Sequence, residues 1–285
     1  LMVGADSDSH SPALNVVDKS YVIPKFSERN CVEKIKAICD RENVDVILPM
    51  TNKAIEFMDK NRVEFDEGDL LFYLADHTLI QTSNDKRKLA EFFTQHNFAS
   101  PDLIDPNKSF PGFPLIAKDP CGEGGKDCFK IEDQTELDFF SKKLPNHIFQ
   151  RFIQGREFSI DWFSDKTGLP VVVVPRERLI VRAGEVMVSR IQLLSKIIEP
   201  AKRLGVQLQL RGPANLQGFL DASGEFLFTD VNLRFGSGVL HTIHAGGNIP
   251  EMLIKELLGQ PIETKPSFVK DRSTMSRFHD AIFDF

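Results

Sequence analysis

Apolar and polar positions in the first 76 residues alternate between short apolar runs and one helical pattern. Apolar runs at 21–24, 44–50 and 70–76 predict strands. Residues 30–43 carry apolar side chains at helical spacing, namely Val32, Ile35, Ile38 and Cys39. This strand, helix, strand order favours a parallel sheet covered by helices, so we predict a small Rossmann-like α/β domain over residues 1–76. The opening LMVGADSDS has the pattern of a strand already in progress, which indicates that this domain lacks its first strand.

The pattern changes in the rest of the chain, where strands dominate. A proline-rich connector is predicted at 100–114. From residue 113 onward, apolar runs separated by the turn signals DKTG and DASG predict antiparallel hairpins. Helices are predicted at 82–97, at 190–206 with Gly205 as the closing residue, and at 248–259.

Composition narrows the class of protein. A chain of 285 residues with 41% hydrophobic residues is long enough for about two globular domains. A formal charge of −6, spread along the chain, supplies no basic surface for nucleic acid. Four cysteines without a C-x-x-C pair favour a reducing compartment, and no apolar run reaches the length of a membrane span. We therefore expect a cytoplasmic protein that binds neither nucleic acid nor membrane.

Polar residues alternate within the apolar segment FLFTDVNLRFGSGVL (226–240). In an extended strand, Asp230, Asn232 and Arg234 would share one face. The preceding strand places Asn215 and Gln217 on one face in the same way. Oxygen donors of this kind suit Mg²⁺. The alternative is a solvated hairpin face, which the apolar neighbours on both strands make the weaker interpretation.

The segment PLIAKDPCGEGGKDCF combines a lysine with a glycine loop. The loop GEGGK (122–126) matches neither a P-loop nor G-x-G-x-x-G. Such a loop can present backbone N–H groups to phosphates, although most glycine loops only turn a hairpin. Lys118 closes the preceding apolar strand and could reach an anion under the loop, or could lie at the solvent end of its strand.

Two further groups of residues have open interpretations. His241 and His244 are three apart, which suits a metal pair on a helix, but packing or a polar surface is the better interpretation. An arginine-rich stretch at 174–190 could hold a substrate carboxylate or could solvate a hairpin. Its arginines are Arg176, Arg178, Arg182 and Arg190.

In their order, these segments resemble the ATP-grasp superfamily. The resemblance is strongest to the synthetase halves of carbamoyl-phosphate synthase large subunits and to related carboxylate-amine ligases. It rests on ADSDSHSPALNVVDKSYVIP, NDKRKLAEFF, PLIAKDPCGEGGKDCF, FQRFIQGREFSID, RGPANLQGFLDASGEF, DVNLRFGSG and HAGGNIPEMLIKELLG. It implies an α/β and α+β chain, in which an ATP-grasp domain over 77–285 follows the first domain. Within it, the resemblance implies a small lid subdomain at about 110–153 and a larger Mg-ATP subdomain at about 154–285.

The resemblance also implies roles for individual residues. Lysines would contact ATP phosphates, the glycine loop would close as a lid, residues 150–153 would hold adenine, and a glutamate would take the ribose. These nucleotide-binding residues would be Lys86, Lys118, Gly122, Gly124, Gly125, Gln150, Arg151, Phe152, Ile153 and Glu157. Mg²⁺, with Mn²⁺ as an alternative, would be held by Gln217, Asp230 and Asn232. Asn232 and Arg234 would be catalytic, with Arg234 reaching the transferred phosphoryl group.

This resemblance implies an ATP-dependent ligase that acts on a small-molecule carboxylate and an amine, with ADP and phosphate as products. A homodimer is compatible with it. A non-catalytic ATP-binding sensor, or a subunit of a larger carbamoyl-phosphate-synthase-like complex, is the main alternative. A dinucleotide-dependent oxidoreductase is a third hypothesis, which the absence of the G-x-G-x-x-G fingerprint disfavours.

Overall fold

A computed structural model describes residues 1–66, 70–110, 112–122, 127–262 and 269–278. The chain divides into two compact units. The first is built mainly from Leu1–Leu74, and the second from Ala75–Glu256 with Pro261–Arg277. In the described parts of the chain, no helix has both the length and the apolar composition needed to span a membrane.

The described residues of the first unit contain two pairs of parallel strands and three helices, as an α/β domain should. Strand β1 (Val3–Asp6) pairs with β2 (Lys19–Val22), and β3 (Val46–Ile47) pairs with β4 (Leu71–Phe72). The helices are α1 (Cys31–Glu42), α2 (Asn52–Lys60) and α3 (Arg62–Asp66), with a 3₁₀ turn at Pro12–Asn15. Buried side chains of the three helices, together with one residue directly after β2, form one apolar core: Ile23, Cys31, Ile38, Phe57, Met58 and Phe65.

The second unit begins with two helices where the sequence predicts one. Helix α4 (His77–Ser83) ends before Asn84, and α5 (Lys86–Gln95) starts again after Asp85. The Asp85 side chain accepts hydrogen bonds from the backbone N–H groups of Arg87 and Lys88, which caps the new helix. The helix predicted at 82–97, which opens with capping residues, is present as α5, whereas α4 before it was not predicted.

A four-stranded antiparallel sheet follows, in the order β5-β8-β6-β7. Its strands are β5 (Leu103–Ile104), β6 (Leu115–Lys118), β7 (Cys128–Ile131) and β8 (Ile148–Arg151), and helix α6 (Gln134–Lys143) connects the last two. The sequence pattern does not predict α6. The core between this sheet and α6 consists of Leu115, Ala117, Ile131, Leu137 and Phe149.

A six-stranded antiparallel sheet forms the body of the second unit, in the order β13-β12-β9-β10-β11-β14. Its strands are β9 (Gly155–Ser164), β10 (Pro170–Arg182), β11 (Glu185–Ile191), β12 (Gly212–Asp221), β13 (Phe226–Asn232) and β14 (Thr274–Ser276). Strands β9 and β10, and strands β12 and β13, pair as the predicted hairpins. Gly168 and Gly224 have φ values of 88° and 86° in the two turns, a conformation that glycine adopts without strain.

Three helices complete this unit: α7 (Ser195–Gln207), α8 (Val239–His244) and α9 (Ile249–Leu257). Helix α7 starts later than predicted, because Arg190 and Ile191 belong to β11. Gly205 does not close the helix but lies inside it. A Cβ at Gly205 would be 2.1 Å from the ring of the buried Trp162, so this glycine allows α7 to approach the sheet.

Candidate active site

One face of the six-stranded sheet carries a continuous set of polar side chains. Directly paired residues of an antiparallel sheet project to the same side. The register aligns two rows across neighbouring strands: Asp230, Gln217, Ser159 and Arg176 in one row, and Asn232, Asn215 and Asp161 in the next. The opposite face carries the buried apolar side chains Val231, Leu216 and Ile160. The polar face predicted from alternation is therefore present. At Asp161 and Asn215 this face is buried inside the unit.

Strand β13 ends at Asn232, which corrects the prediction that Arg234 shares its face. Arg234 lies in the loop that leads to α8, and its Nη1 donates a hydrogen bond to the Phe235 carbonyl at 3.0 Å. The glycines that follow, Gly236 and Gly238, are buried. The alternation of side chains between the two faces of β13 therefore includes Asp230 and Asn232 but not Arg234.

The predicted metal ligands lie on the paired strands β12 and β13. Gln217 is directly opposite Asp230, and Asn232 is two residues further along the same face. The Gln217 amide nitrogen donates to Asn215 Oδ1 at 3.2 Å, and its Oε1 accepts from Arg178 Nη1 at 3.3 Å. One carboxylate and two amide oxygens form a hard donor set, which fits Mg²⁺ that also binds substrate phosphates. No cluster of three His, Cys, Asp or Glu side chains suited to a metal occurs in the described residues.

Two lysines approach this face from the other elements of the unit. Lys86, the first residue of α5, donates from Nζ to the Gly122 carbonyl at 2.5 Å. The same Nζ lies 4.0 Å from Asp230 Oδ1. Lys118 is the last residue of β6 and pairs with Cys128 on β7. The Lys86 contact joins the start of the glycine loop to the predicted metal carboxylate.

Glu157, the predicted ribose ligand, lies on β9 beside a second cation. Arg178 Nη1 is 2.8 Å from Glu157 Oε1. Burial raises the pKa of Glu157, Arg178 opposes that increase, Asp230 adds to it and Lys118 also opposes it. Asp230 and Lys118 therefore lie close enough to Glu157 for their charges to affect its pKa.

The predicted adenine hinge, residues 150–153, makes hydrogen bonds to neighbouring segments of the second unit. The buried Gln150 donates from Nε2 to the Pro101 carbonyl at 3.2 Å, so its side-chain amide is bound to the protein backbone. The Arg151 and Phe152 N–H groups donate to the carbonyls of Asp102 and Pro114. The Arg151 side chain is exposed, whereas Ile153 is half-buried. Of the predicted lid glycines, Gly122 turns back on Asp119, and Gly124 and Gly125 lie outside the described residues.

The arginine-rich stretch separates into residues with different environments. Arg176 is fully buried and binds both carboxylate oxygens of Asp161, at 2.6 and 2.9 Å. Arg178 joins Glu157 to Gln217 within the site, and Arg182 and Arg190 are exposed. The sequence predicted only that Arg178 could hold a substrate carboxylate or solvate a hairpin; its contact with Glu157 and the buried pairing of Asp161 with Arg176 were not predicted. The signal was present, because Glu157 and Asp161 alternate on β9 and Arg176 and Arg178 alternate on β10.

Comparison with known proteins identifies relatives of this chain. Residues 143–277 match the family described as ATP-grasp in the biosynthetic pathway with Ter operon, and residues 2–71 match the PylC-like N-terminal domain. A carbamoyl-phosphate synthase of Methanobrevibacter smithii is 23% identical over 165 residues, which is 55% of this chain and 44% of the synthase. The chain thus spans less than half the length of this curated relative.

Solved structures resemble the chain over nearly its whole length. The biotin carboxylase domain of Hydrogenobacter thermophilus 2-oxoglutarate carboxylase, solved with MgADP and bicarbonate, has a TM-score of 0.72 at 14% identity, covering 95% of this chain and 67% of that one. An L-amino acid ligase of Bacillus licheniformis has a TM-score of 0.67 at 19% identity, covering 90% and 68%. These comparisons confirm the predicted resemblance and the α/β ATP-grasp fold with its separate N-terminal domain.

Proposed function

We propose that this chain, which has the ATP-grasp fold, binds Mg-ATP on the polar sheet face and uses it to activate a carboxylate. The observation that carries the proposal is the grouping of opposite charges at that face. Lys86 lies against Asp230, and Arg178 lies against Glu157 and Gln217. Three cations, with Lys118 as the third, face two carboxylates, which leaves positive charge for a triphosphate.

Each group has a defined task in this proposal. Lys86 and Lys118 neutralise phosphate oxygens, and Glu157 accepts hydrogen bonds from ribose hydroxyls while Arg178 opposes the rise in its pKa. Gln217, Asp230 and Asn232 would hold Mg²⁺, which would neutralise charge on the triphosphate. Arg234 stabilises the transferred phosphoryl group. Phosphoryl transfer depends on positioning and electrostatic stabilisation, so no covalent protein nucleophile is required.

The proposed reaction has two steps. A substrate carboxylate oxygen attacks the γ-phosphorus, the bond from this phosphorus to the β,γ-bridging oxygen breaks, and ADP leaves. An amine nitrogen then attacks the acyl carbon of the acyl phosphate, inorganic phosphate leaves, and the nitrogen loses a proton. Exclusion of water by the lid would protect the acyl phosphate from hydrolysis.

Small acids and amines are the substrates that we propose. An L-amino acid ligase shares the fold, so amino acids are the first acids and amines to test. Bicarbonate is the second acid, because a neighbouring structure holds it together with MgADP. We also propose that Arg182, which is exposed at the turn end of β10, is available to a substrate carboxylate, whereas Arg190 pairs with Glu177 on the other face of the sheet.

A non-catalytic nucleotide sensor is the second candidate. The observation that favours it is the donor set of the predicted metal site, in which Asp230 is the only carboxylate among Gln217, Asp230 and Asn232. A single carboxylate gives weaker neutralisation of a second metal ion than two carboxylates would. A sensor would bind Mg-ATP and release no ADP.

The experiment that separates these candidates is ADP release from Mg-ATP across single amino acids, small carboxylates and bicarbonate. Each acid is assayed with and without an amine, and hydroxylamine serves as a trap for the acyl phosphate. A ligase releases ADP only with a particular acid, and Asp230→Ala abolishes this release. Tight Mg-ATP binding without ADP release under every condition would favour the sensor, and absence of nucleotide binding would refute both.

A further inference from the structure

The polar sheet face has a fully buried ionic end that the proposed chemistry does not use. Asp161 accepts four hydrogen bonds, two from Arg176, one from Asn215 Nδ2 at 3.0 Å and one from Thr242 Oγ1 at 2.5 Å. Asp161 and Arg176 are 1% and 0% exposed. These partners come from β10, β12 and α8, whereas Asp161 lies on β9. A charge pair at this depth is stable only when its geometry is well fixed.

The loop that carries Arg234 lies directly on this buried group. A Cβ at Gly238 would be 2.2 Å from Arg176 Nη1, and a Cβ at Gly236 would be 2.6 Å from Asn215 Nδ2. Arg176 Nη1 is itself buried and has no hydrogen-bond partner in the described structure. The guanidinium is thus covered by the backbone of Gly238, in a space where no side chain fits.

The loop is also connected to its surroundings on both flanks. On the N-terminal flank, Asn232 is directly paired with Asn215, which binds Asp161. On the C-terminal flank, Thr242 of α8 binds Asp161. Between them, Arg277 donates to the Ser237 carbonyl. Residues 232–242 therefore span the buried ion pair, and the pair fixes the height of the loop above the sheet.

We propose that the Asp161–Arg176 pair is a positioning unit that sets Arg234 for the γ-phosphate of ATP. The inference rests on the proposed function, in which Arg234 contacts the transferred phosphoryl group. Asp161 and Arg176 touch no substrate in this role. They act through the backbone of Gly236 and Gly238. A side chain at either position would collide with Asn215 or Arg176, so the segment RFGSG requires both glycines.

The test uses the affinity difference between Mg-ATP and Mg-ADP, which requires no knowledge of the acid substrate. A charge-assisted contact from Arg234 to the γ-phosphate should make Mg-ATP bind about tenfold more tightly than Mg-ADP. Arg234→Ala should abolish this preference. Gly238→Ala should abolish it too, because its methyl group lifts the loop from Arg176, and it should leave Mg-ADP affinity within about twofold of wild type. Gly236→Ala is the second loop variant and should act in the same direction.

The matched control is Gly205→Ala, which crowds Trp162 on the opposite face of β9. This variant should lose stability and retain the preference for Mg-ATP. The decisive variant is the double mutant Gly238→Ala/Arg234→Ala. If Gly238 acts through Arg234, the double mutant loses no more preference than Arg234→Ala alone.

Each outcome distinguishes this inference from the proposed function. If the wild-type protein binds neither nucleotide, the proposed function fails and the inference fails with it. If the wild-type protein prefers Mg-ATP and Gly238→Ala preserves that preference, or if the two mutations have additive effects, only the positioning role is overturned. Equal loss of preference in Gly205→Ala and Gly238→Ala would show a general effect of instability and would also overturn it.

Discussion

Arg178 Nη1 lies 2.8 Å from the Glu157 carboxylate and 3.3 Å from the Gln217 amide oxygen. One guanidinium thus connects the proposed ribose ligand on β9 with a proposed metal ligand on β12. Burial favours the neutral form of Glu157 and raises its pKa, and the positive charge of Arg178 opposes this change. The ionisation of Glu157 therefore depends on Arg178.

Replacement of Arg178 by glutamine should weaken nucleotide binding in a pH-dependent way. Without the cation, the pKa of Glu157 rises further, so more of this carboxyl is protonated as the pH falls. We expect a loss of Mg-ATP affinity of roughly tenfold near neutral pH, larger at pH 5.5 and smaller at pH 8. Titration of Mg-ATP binding at these pH values measures the effect. Arg190→Gln, exposed on the opposite face of the sheet, is the control, and a pH-independent loss would contradict the coupling.

Asp230→Asn should remove the metal dependence of nucleotide binding while the fold remains intact. Asp230 supplies the only carboxylate of the proposed metal set and is partly exposed, so an amide can replace it without burying a new polar group. ADP release should fall by about 10²-fold or more, as expected for a lost electrostatic contribution to the transition state. Nucleotide binding measured with and without Mg²⁺ should become equal. Asp138→Asn, on the exposed side of α6, should change neither quantity, and retained Mg²⁺ dependence in Asp230→Asn would refute the assignment.

Cys128 offers a chemical probe of the same site. Burial raises the pKa of its thiol, Lys118 and Lys86 lower it, and Asp230 raises it, so the thiol is close to the proposed phosphate-binding groups. Alkylation should be slow at pH 7 and faster at higher pH, because the thiolate forms only above the raised pKa. Mg-ATP at ten times its Kd should slow labelling of Cys128 by about tenfold, measured by peptide mass spectrometry.

Cys39, half-buried in α1, is the internal reference for this labelling and should show no protection. Cys128→Ser should retain ADP release, since the proposed reaction uses no thiol. Equal labelling rates of Cys128 with and without nucleotide would place ATP elsewhere.

The part of the site that was predictable is the part that depends on local alternation. Asp230 and Asn232, with Gln217 and Asn215 opposite, follow from the period of two in adjacent hairpin strands. The contact of Lys86 with Gly122 joins residues 36 positions apart, and no local pattern indicates it. The arginine-rich stretch was recognised from the sequence. The different roles of Arg176 and Arg178 were not, because they depend on the buried contact of Arg176 with Asp161.

The fold errors have the same origin. Gly205 near the end of a helical pattern has the appearance of a C-terminal cap, yet it is required by the ring of Trp162, a tertiary contact. The start of α5 was predicted, because Asp85 is a preferred capping residue, but α4 before it was not. Arg234 was placed on the strand because alternation continues through RF, whereas the chain bends at residues 233–234, directly after β13 ends.

His241 should make the second unit lose stability as the pH falls from 6.5 toward 4. The buried ring binds the Ser189 and Ser273 hydroxyls at 2.8 and 3.0 Å, and burial, with Arg176 and His244, lowers its pKa from 6.5 to about 4, while Asp161 opposes them. Protons then bind the unfolded state more readily, so the stabilisation is complete above pH 6.5 and is lost as the pH falls through this window. The pKa difference corresponds to roughly 3 kcal/mol of unfolding free energy at most.

Urea unfolding followed by the fluorescence of Trp162, the single tryptophan, should show this loss at pH 7, 5.5 and 4.5. His241→Gln should be less stable at pH 7 but should lack this component of the pH dependence. An identical slope in the variant would assign the acid sensitivity to other groups.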